Sequence, residues 1–555
     1  MQDNFIKRRR FVAVLWLYLI VPAAWLVNFK VCAQEKNPEQ VATAPAANAD
    51  APPAAQQSAN FDLFELRVKG NTKLERKDLE RCVYPFLGPN KNIEDVDKAR
   101  SALEELYRSQ GYQTVAVDIP EQDVKNGIVY LQVVEGRISR LRVKDSRYFS
   151  LGKIKEGVPE LAEGNVPNMP VMQQQLATLA AQSPDRQIQP VLRAGEIPGT
   201  LEVDLKVKDE LPLHGRVELN GRNTATTSRL RLVSSLHYDN LWQAMHSASL
   251  MYTVSPEDNN QVDVWAGTYA VPLFDNGTRL AFYTVSSNSD SLINTGADSI
   301  SNGSIYGLRL VRPLGMVDNY YHSLSLGVDY KDFRNNITAA GTAPGILTPI
   351  TYTPFLAQYS GNLRGKESYT TFDLGLHFSM RSIGNNQNQF QNARNGARAD
   401  YVYLTGDLKF LQNLPMGMEM QTHFSGQAAD TPLINYEQYL MGGSTTVRGY
   451  FETQALADNG LLGSVEFRSP HLGMADWDAV NQLKVLAFLE GAKGWVKSAL
   501  PGTVSDYTLS SGGFGMRFKV FKQYSGAFDV GIPFNTILPV HSGDPRLHFN
   551  IATDF

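Results

Sequence analysis

The sequence predicts an all-β transmembrane barrel of about 16 antiparallel strands, preceded by two small α+β units. Three observations carry that expectation. From about Leu211 onward, short runs alternate apolar and polar residues between turns rich in Asn, Asp, Gly and Ser. Aromatics (Tyr238, Trp242, Tyr252, Tyr269, Phe282) sit near the ends of these runs, as interfacial girdles do. The chain opens on an export-type segment, and its last alternating run ends on the aromatic Phe555. A soluble sandwich shares the alternation but not the girdles. Roughly 345 residues, at about 21 per strand and connection, give about 16 strands.

In chain order, residues 1–33 read as a signal peptide. Lys7, Arg8, Arg9 and Arg10 precede the apolar run Phe11 to Val27, and Val31-Cys32-Ala33 fits a small-residue cleavage site. Residues 34–60 are rich in Ala, Pro and Gln and almost free of large apolar side chains, so they form a linker.

Residues 61–138 form the first α+β unit. Phe64–Val68 alternates like a strand and stops at Gly70-Asn71. A helix is expected at 75–87 and a second at 92–110, where Val96, Ala99, Leu103, Leu106 and Tyr107 repeat at helical spacing before Gly111. Strands follow at 114–117 (Thr114, Val115, Ala116, Val117) and 129–134. The order recurs over 139–210, with a strand at Leu141-Arg142-Val143, a helix at 172–181 presenting Leu176, Leu179 and Ala180 on one face, and strands at 188–192 and 201–207. The barrel takes 211–555. Leu230, Leu232, Leu236 and Tyr238 share one parity against Arg229, Arg231, Ser235 and His237. Towards the end, Phe528, Val530 and Ile532 alternate with Ala527, Asp529 and Gly531.

Composition excludes several functions. With 52 basic against 56 acidic residues there is no electrostatic footprint for nucleic acid. Of the two cysteines, Cys32 leaves with the signal peptide, so Cys82 has no partner for a disulfide or thiolate site. The nine histidines show no metal-ligand spacing, and no Gly-x-Ser-x-Gly elbow, His-Glu-x-x-His or glycine-lysine phosphate loop occurs. Neither an enzyme, a metal nor a cofactor is expected.

The informative motif is Gly442-Gly443-Ser444-Thr445-Thr446-Val447-Arg448-Gly449-Tyr450, an arginine in a glycine-rich loop between strand-like segments. An arginine aimed into a confined space needs a counter-charge, and Glu490 in Phe488-Leu489-Glu490-Gly491 offers one. On 483–489 the odd positions are Leu, Val, Ala and Leu, fit for lipid, whereas Lys484, Leu486, Phe488 and Glu490 share the inward parity.

Together these features resemble an outer-membrane transporter of two-partner secretion, the POTRA-bearing family that exports haemolysins and filamentous adhesins. The resemblance rests on Val134-Glu135-Gly136-Arg137-Ile138, on Val207-Lys208-Asp209 leading into the barrel, on Val447-Arg448-Gly449-Tyr450, and on the terminal Phe555. It implies that 61–138 and 139–210 are POTRA domains 1 and 2, in the periplasm, and that the loop after the eleventh strand folds into the lumen. It further implies that Arg448 meets an acid on the wall and that Phe555 is an assembly signal read by the barrel-assembly machinery. The family usually has aspartate in a Phe-x-Asp-x-Gly pattern. Here Glu490 keeps the acid one methylene longer, and Ala492 stands in place of the second glycine. Glu466 resembles another recurrent acidic position. The partners so implied are a secreted exoprotein and outer-membrane lipid, with Thr114–Val117 as the sheet edge for the exoprotein. The runner-up is a barrel-assembly or insertion factor, which would usually carry more POTRA domains. A diffusion porin would need neither those domains nor the inward loop.

Overall fold

The computed structural model describes residues 60–555 except 125, 275, 290–291, 295–298, 335–348 and 474–478. The expected signal peptide and all of the linker but Asn60 lie outside the described residues.

In the first unit, β1 (Phe61–Leu63), β2 (Glu65–Lys69), α1 (Arg76–Val83), β3 (Gly88–Lys91), α2 (Ile93–Ser109), β4 (Val115–Asp118) and β5 (Ile128–Glu135) follow in order. Asn92 caps α2, accepting from the Asp95 N–H at 3.0 Å while the Asp95 carboxylate accepts from the Asn92 N–H at 3.3 Å. The α2 face of Val96, Ala99, Leu103 and Tyr107 is buried against Val115, Val117, Val129, Leu131 and Val133. Helix α1 is shorter than expected, because Pro85 turns Tyr84–Phe86 into a 3₁₀ turn. The three-stranded sheet runs β2-β5-β4, so β4 is an edge.

The second unit repeats the plan with β6 (Arg137–Lys144), α3 (Leu151–Glu156), α4 (Met169–Ala181), β7 (Arg186–Ala194) and β8 (Thr200–Asp209), in sheet order β6-β8-β7. Its first strand begins two residues before the boundary expected from the sequence: Ile138 packs in the second core with Leu141, Ile154, Leu176, Leu179, Val203 and Leu205. Two features differ from expectation. Ala180 is exposed, the apolar face of α4 being Met172, Leu176 and Leu179. The six-residue α3, between Ser150 and Gly157, is too short to show a helical period in the sequence.

Beyond β8 the described residues form a closed antiparallel barrel of sixteen strands, from Leu213–Asn220 to Arg546–Asp554. Ile350–Tyr352 and Pro354–Arg364 both pair with Tyr320–Phe333 and make one interrupted strand, the eighth. The first and last strands pair from Asn220↔Asn550 to Arg216↔Asp554, so the sheet has no free edge. Leucine and aromatic side chains such as Leu250, Leu374, Phe514 and Leu547 are at least half exposed on the outer face, where a bilayer would cover them. The girdle aromatics occupy two levels. Trp242 Nε1 donates to Tyr269 Oη (3.3 Å) near the small units, and Tyr252 stacks on Trp265 (4.2 Å between centroids) towards the other end.

The second unit docks on the turn between the second and third barrel strands. The Tyr148 carbonyl accepts from Asn240 Nδ2 (3.2 Å) and Gln243 Nε2 (3.0 Å), and Met245 joins that unit's core. Odd-numbered strands therefore run from the end near the units to the far end. The far part of the lumen is filled by loops, with Tyr436 stacked on Phe333 at 3.8 Å and Phe390, Ala397, Tyr401 and Leu433 buried around them.

Candidate functional site

The loop 430–458, after the eleventh strand (Glu419–Ala429), enters from the far end and folds down inside the barrel. Backbone shape comes first. Gly442 (φ +97°), Gly443 (φ +113°) and Gly449 (φ +97°) hold conformations that disfavour L side chains. A Cβ at Gly443 would strike the Glu452 carboxylate, which instead accepts from Ser444 N (2.8 Å) and Oγ (2.9 Å). Gly449 lies against the wall: its Cβ would stand 3.2 Å from Gly531 C and from Pro533. The loop is thus shaped to bring residue 448 onto the thirteenth (Val480–Trp495) and neighbouring strands.

Arg448 lies against Glu490. Glu490 Oε1 accepts from Arg448 Nε (2.9 Å) and Nη2 (2.6 Å), while Oε2 accepts from the Arg448 backbone N–H (2.7 Å). Glu466 also pairs, with Oε2 at 2.9 Å from Arg448 Nη2. The guanidinium lies over the Phe488 ring, 3.4 Å from its centroid. Glu490 is five residues from the far end of its strand, so the contact sits about 17 Å along the strand from that end. A pair in a wet lumen would be partly solvated; this one is not, since the Arg448 and Glu490 side chains are each 5% exposed.

The sequence reading omitted half of the network. Asp529 Oδ1 lies 3.4 Å from Arg448 Nη1 and 2.7 Å from Arg517 Nη1, and Arg468 Nε donates to Glu466 Oε1 at 2.6 Å. Three arginines therefore face three carboxylates, so the charges of the cluster balance, with Arg448, Glu466, Glu490 and Asp529 buried and Arg468 and Arg517 at its partly exposed rim. His548 Nε2 accepts from the Gly449 N–H (2.9 Å). The available signal was parity: Asp529 falls on the inward positions of its strand, but alternation alone names no partner.

The other expected residues are placed as follows. Val447 is fully buried with Met441, Tyr450, Leu462, Ala492 and Leu509. Tyr450 Oη reaches the Asn535 carbonyl at 2.8 Å. Phe488 is opposite Glu466, and Gly491 opposite Gly463, across the strand pair. Phe555 exchanges backbone hydrogen bonds with Gly215 (2.8 and 2.9 Å) and lays its ring where a Cβ on Gly215 would be, which finishes the barrel seam. The expected sheet edge is the edge strand β4, with its side chains divided between two faces. Thr114 precedes β4, and Val115 and Val117 point into the core, so the β4 backbone, Ala116 and Asp118 face outward.

The far mouth holds a second cluster that the sequence did not reveal. Asp458, fully buried, accepts from Arg394 Nη1 (2.5 Å) and Nη2 (2.7 Å), Leu433 N (2.8 Å) and Lys497 N (2.6 Å). One carboxylate thereby ties together the loops after strands nine, eleven and thirteen. Beside it, Glu437 takes Lys331 Nζ (3.0 Å), Tyr352 Oη (2.6 Å) and Tyr403 Oη (2.7 Å).

Comparisons with known proteins agree with this architecture. Residues 61–136 match the POTRA domain, ShlB-type, and residues 199–518 match the family described as haemolysin secretion/activation protein ShlB/FhaC/HecB. Among curated proteins, the outer membrane transporter CdiB of Escherichia coli is 24% identical, over 86% of this chain and 80% of its own. The heme/hemopexin transporter protein HuxB of Haemophilus influenzae is 21% identical, over 74% of this chain and 73% of its own. Among solved structures, CdiB from Escherichia coli superposes with a TM-score of 0.60 at 18% identity, covering 91% of this chain and 93% of that one, a likeness of fold.

Proposed function

The chain belongs to the haemolysin secretion/activation protein (ShlB/FhaC/HecB) family of outer-membrane two-partner secretion transporters, and from that premise we propose that it exports one cognate exoprotein, of haemolysin or adhesin type, from the periplasm to the cell surface. The observation that carries this reading is a barrel whose bore is set by a docked arginine loop and whose near end carries two small domains.

Capture falls to the POTRA domains. The edge of β4 can accept an extended chain as an added strand, giving affinity through backbone hydrogen bonds with little demand on sequence. The chain then passes the bore as the Arg448 loop leaves its seat. The sequence offers no glycine-lysine loop for nucleotide, so the driving force is folding of the exoprotein outside the cell. Two POTRA domains rather than three or more favour export over barrel assembly.

The test is co-expression with candidate large, signal-bearing exoproteins and measurement of each in the medium. Secretion that depends on this chain supports the reading. An assembled barrel with no such secretion, and a general fall in other outer-membrane proteins when the chain is lost, would transfer support to the assembly factor.

A further inference from the structure

At the near end of the lumen the second POTRA domain meets the barrel through one histidine–carboxylate pair, and a second such pair lies beside it on the barrel wall. His214, on the first barrel strand, and His237, on the second (Arg231–Leu241), are direct register partners and share the inward face opposite Leu236. His214 Nε2 is 3.0 Å from Asp185 Oδ1, and His237 Nε2 is 2.9 Å from Asp239 Oδ2. One ligand atom from each of Asp185, His214 and Asp239 lies within 4.8 Å of the other two. Asp185 comes from the turn between α4 and β7, so the cluster spans two bodies of the fold.

We propose that Asp185, His214, His237 and Asp239 bind a divalent transition-metal ion of the zinc class at this junction. Three physical points support the assignment. Two imidazoles with two carboxylates form a donor set suited to zinc, cobalt or nickel rather than calcium or magnesium, which take all-oxygen shells. Bonds of about 2.0–2.1 Å in a tetrahedron put donors about 3.3 Å apart; His214–Asp185 is already close to that edge, the Asp239 carboxylate lies within 4.8 Å of both, and His237, paired with Asp239, would swing in as the fourth donor. Asp185 is also held from behind: its Oδ2 is 3.3 Å from Ser183 Oγ, and its carbonyl accepts from Glu210 N at 2.9 Å. Both histidines are nearly half exposed and line a cavity of about 420 Å³ with Arg216, Ser235 and Asp554, so an ion has a way in. Bound there, the metal joins the POTRA domain to strands one and two and stabilises their docking by mass action.

The experiment uses the untagged full-length protein purified in detergent and titrated with Co²⁺, whose visible ligand-field absorption reports the donor set, followed by Zn²⁺ displacement. The expected result is one equivalent of Co²⁺ displaced by Zn²⁺, with affinity lowered at least about tenfold in His214→Ala and in Asp185→Asn and absent in the His214→Ala/His237→Ala double variant. Heat-modifiable migration on gels verifies that each variant keeps its barrel; should a histidine variant fail that check, Asp239→Asn replaces it in the comparison. Zinc should also slow proteolysis between residues 209 and 213 in the wild type only. Absence of stoichiometric Co²⁺ binding by the wild type, or equal binding by an intact double variant, overturns the site. Opening of the junction by acid with no effect of metal does so as well, since two plain His–Asp ion pairs would then suffice.

Discussion

Arg448→Ala removes a cation and leaves its surroundings in place, and the consequence follows from the contacts. The substitution deletes the Nε and Nη2 bonds to Glu490 (2.9 and 2.6 Å), the Glu466 contact (2.9 Å), the longer approach to Asp529 (3.4 Å) and the stack on Phe488. Glu466 and Asp529 keep Arg468 and Arg517, but Glu490 retains only the residue-448 backbone N–H. Breaking one partner out of a buried pair costs about 3–5 kcal/mol. The barrel ladders do not depend on this arginine, so the cost falls on the seating of the loop. It moves that equilibrium by roughly two to three and a half powers of ten. The assay is secretion of the cognate exoprotein from cells whose outer membranes contain equal amounts of heat-modifiable barrel. Hydrogen exchange at Gly449, whose N–H is held by His548, reads the seating directly. Expected outcomes are normal barrel levels, fast exchange at Gly449 and export reduced to a trace. Wild-type export by a fully inserted Arg448→Ala protein would falsify the assigned role of the loop.

Further substitutions probe the same design. Glu490→Asp keeps the charge on a shorter arm and should retain part of the export, whereas Glu490→Ala should lose it; equal export by the two would leave the ion pair without a role. At Gly531 a Cβ would stand 2.5 Å from Gly449 N, so Gly531→Ala should displace the loop while strand fifteen (Tyr524–Pro533) still pairs, and export should fall without loss of barrel. A slow-exchanging Gly449 in that variant would count against the close approach. Asp458→Asn leaves Arg394 without its charge partner at the far mouth, again at about 3–5 kcal/mol, and should raise single-channel conductance and uptake of large hydrophilic antibiotics. Unchanged conductance would mean that Asp458 does not latch the three loops.

The parity of side chains along each run was legible from residue order, because a strand alternates faces every residue whatever its neighbours are. That rule placed Val485 and Leu489 outward and Leu486, Phe488 and Glu490 inward, as observed. The glycine-rich loop and the inward parity of Glu490 were legible too, and the family resemblance suggested Arg448 as the partner of that carboxylate. The number of strands and the recurrence of the small unit followed from spacing. Which inward charges meet is a different kind of information. Closure of the sheet brings strands twelve to sixteen around one loop, so Glu466, Asp529, Arg517 and His548 converge although they are far apart in the chain. Register between the first two strands set His214 beside His237, without the regular spacing by which metal ligands are recognised in sequence. Packing of the far-end loops drew Arg394, Leu433 and Lys497 onto Asp458. Sequence by itself determined the faces, the order and the loop that carries the arginine. Register and closure, which depend on hydrogen bonds between strands distant in the chain, decided what those faces touch and how dry the contact is.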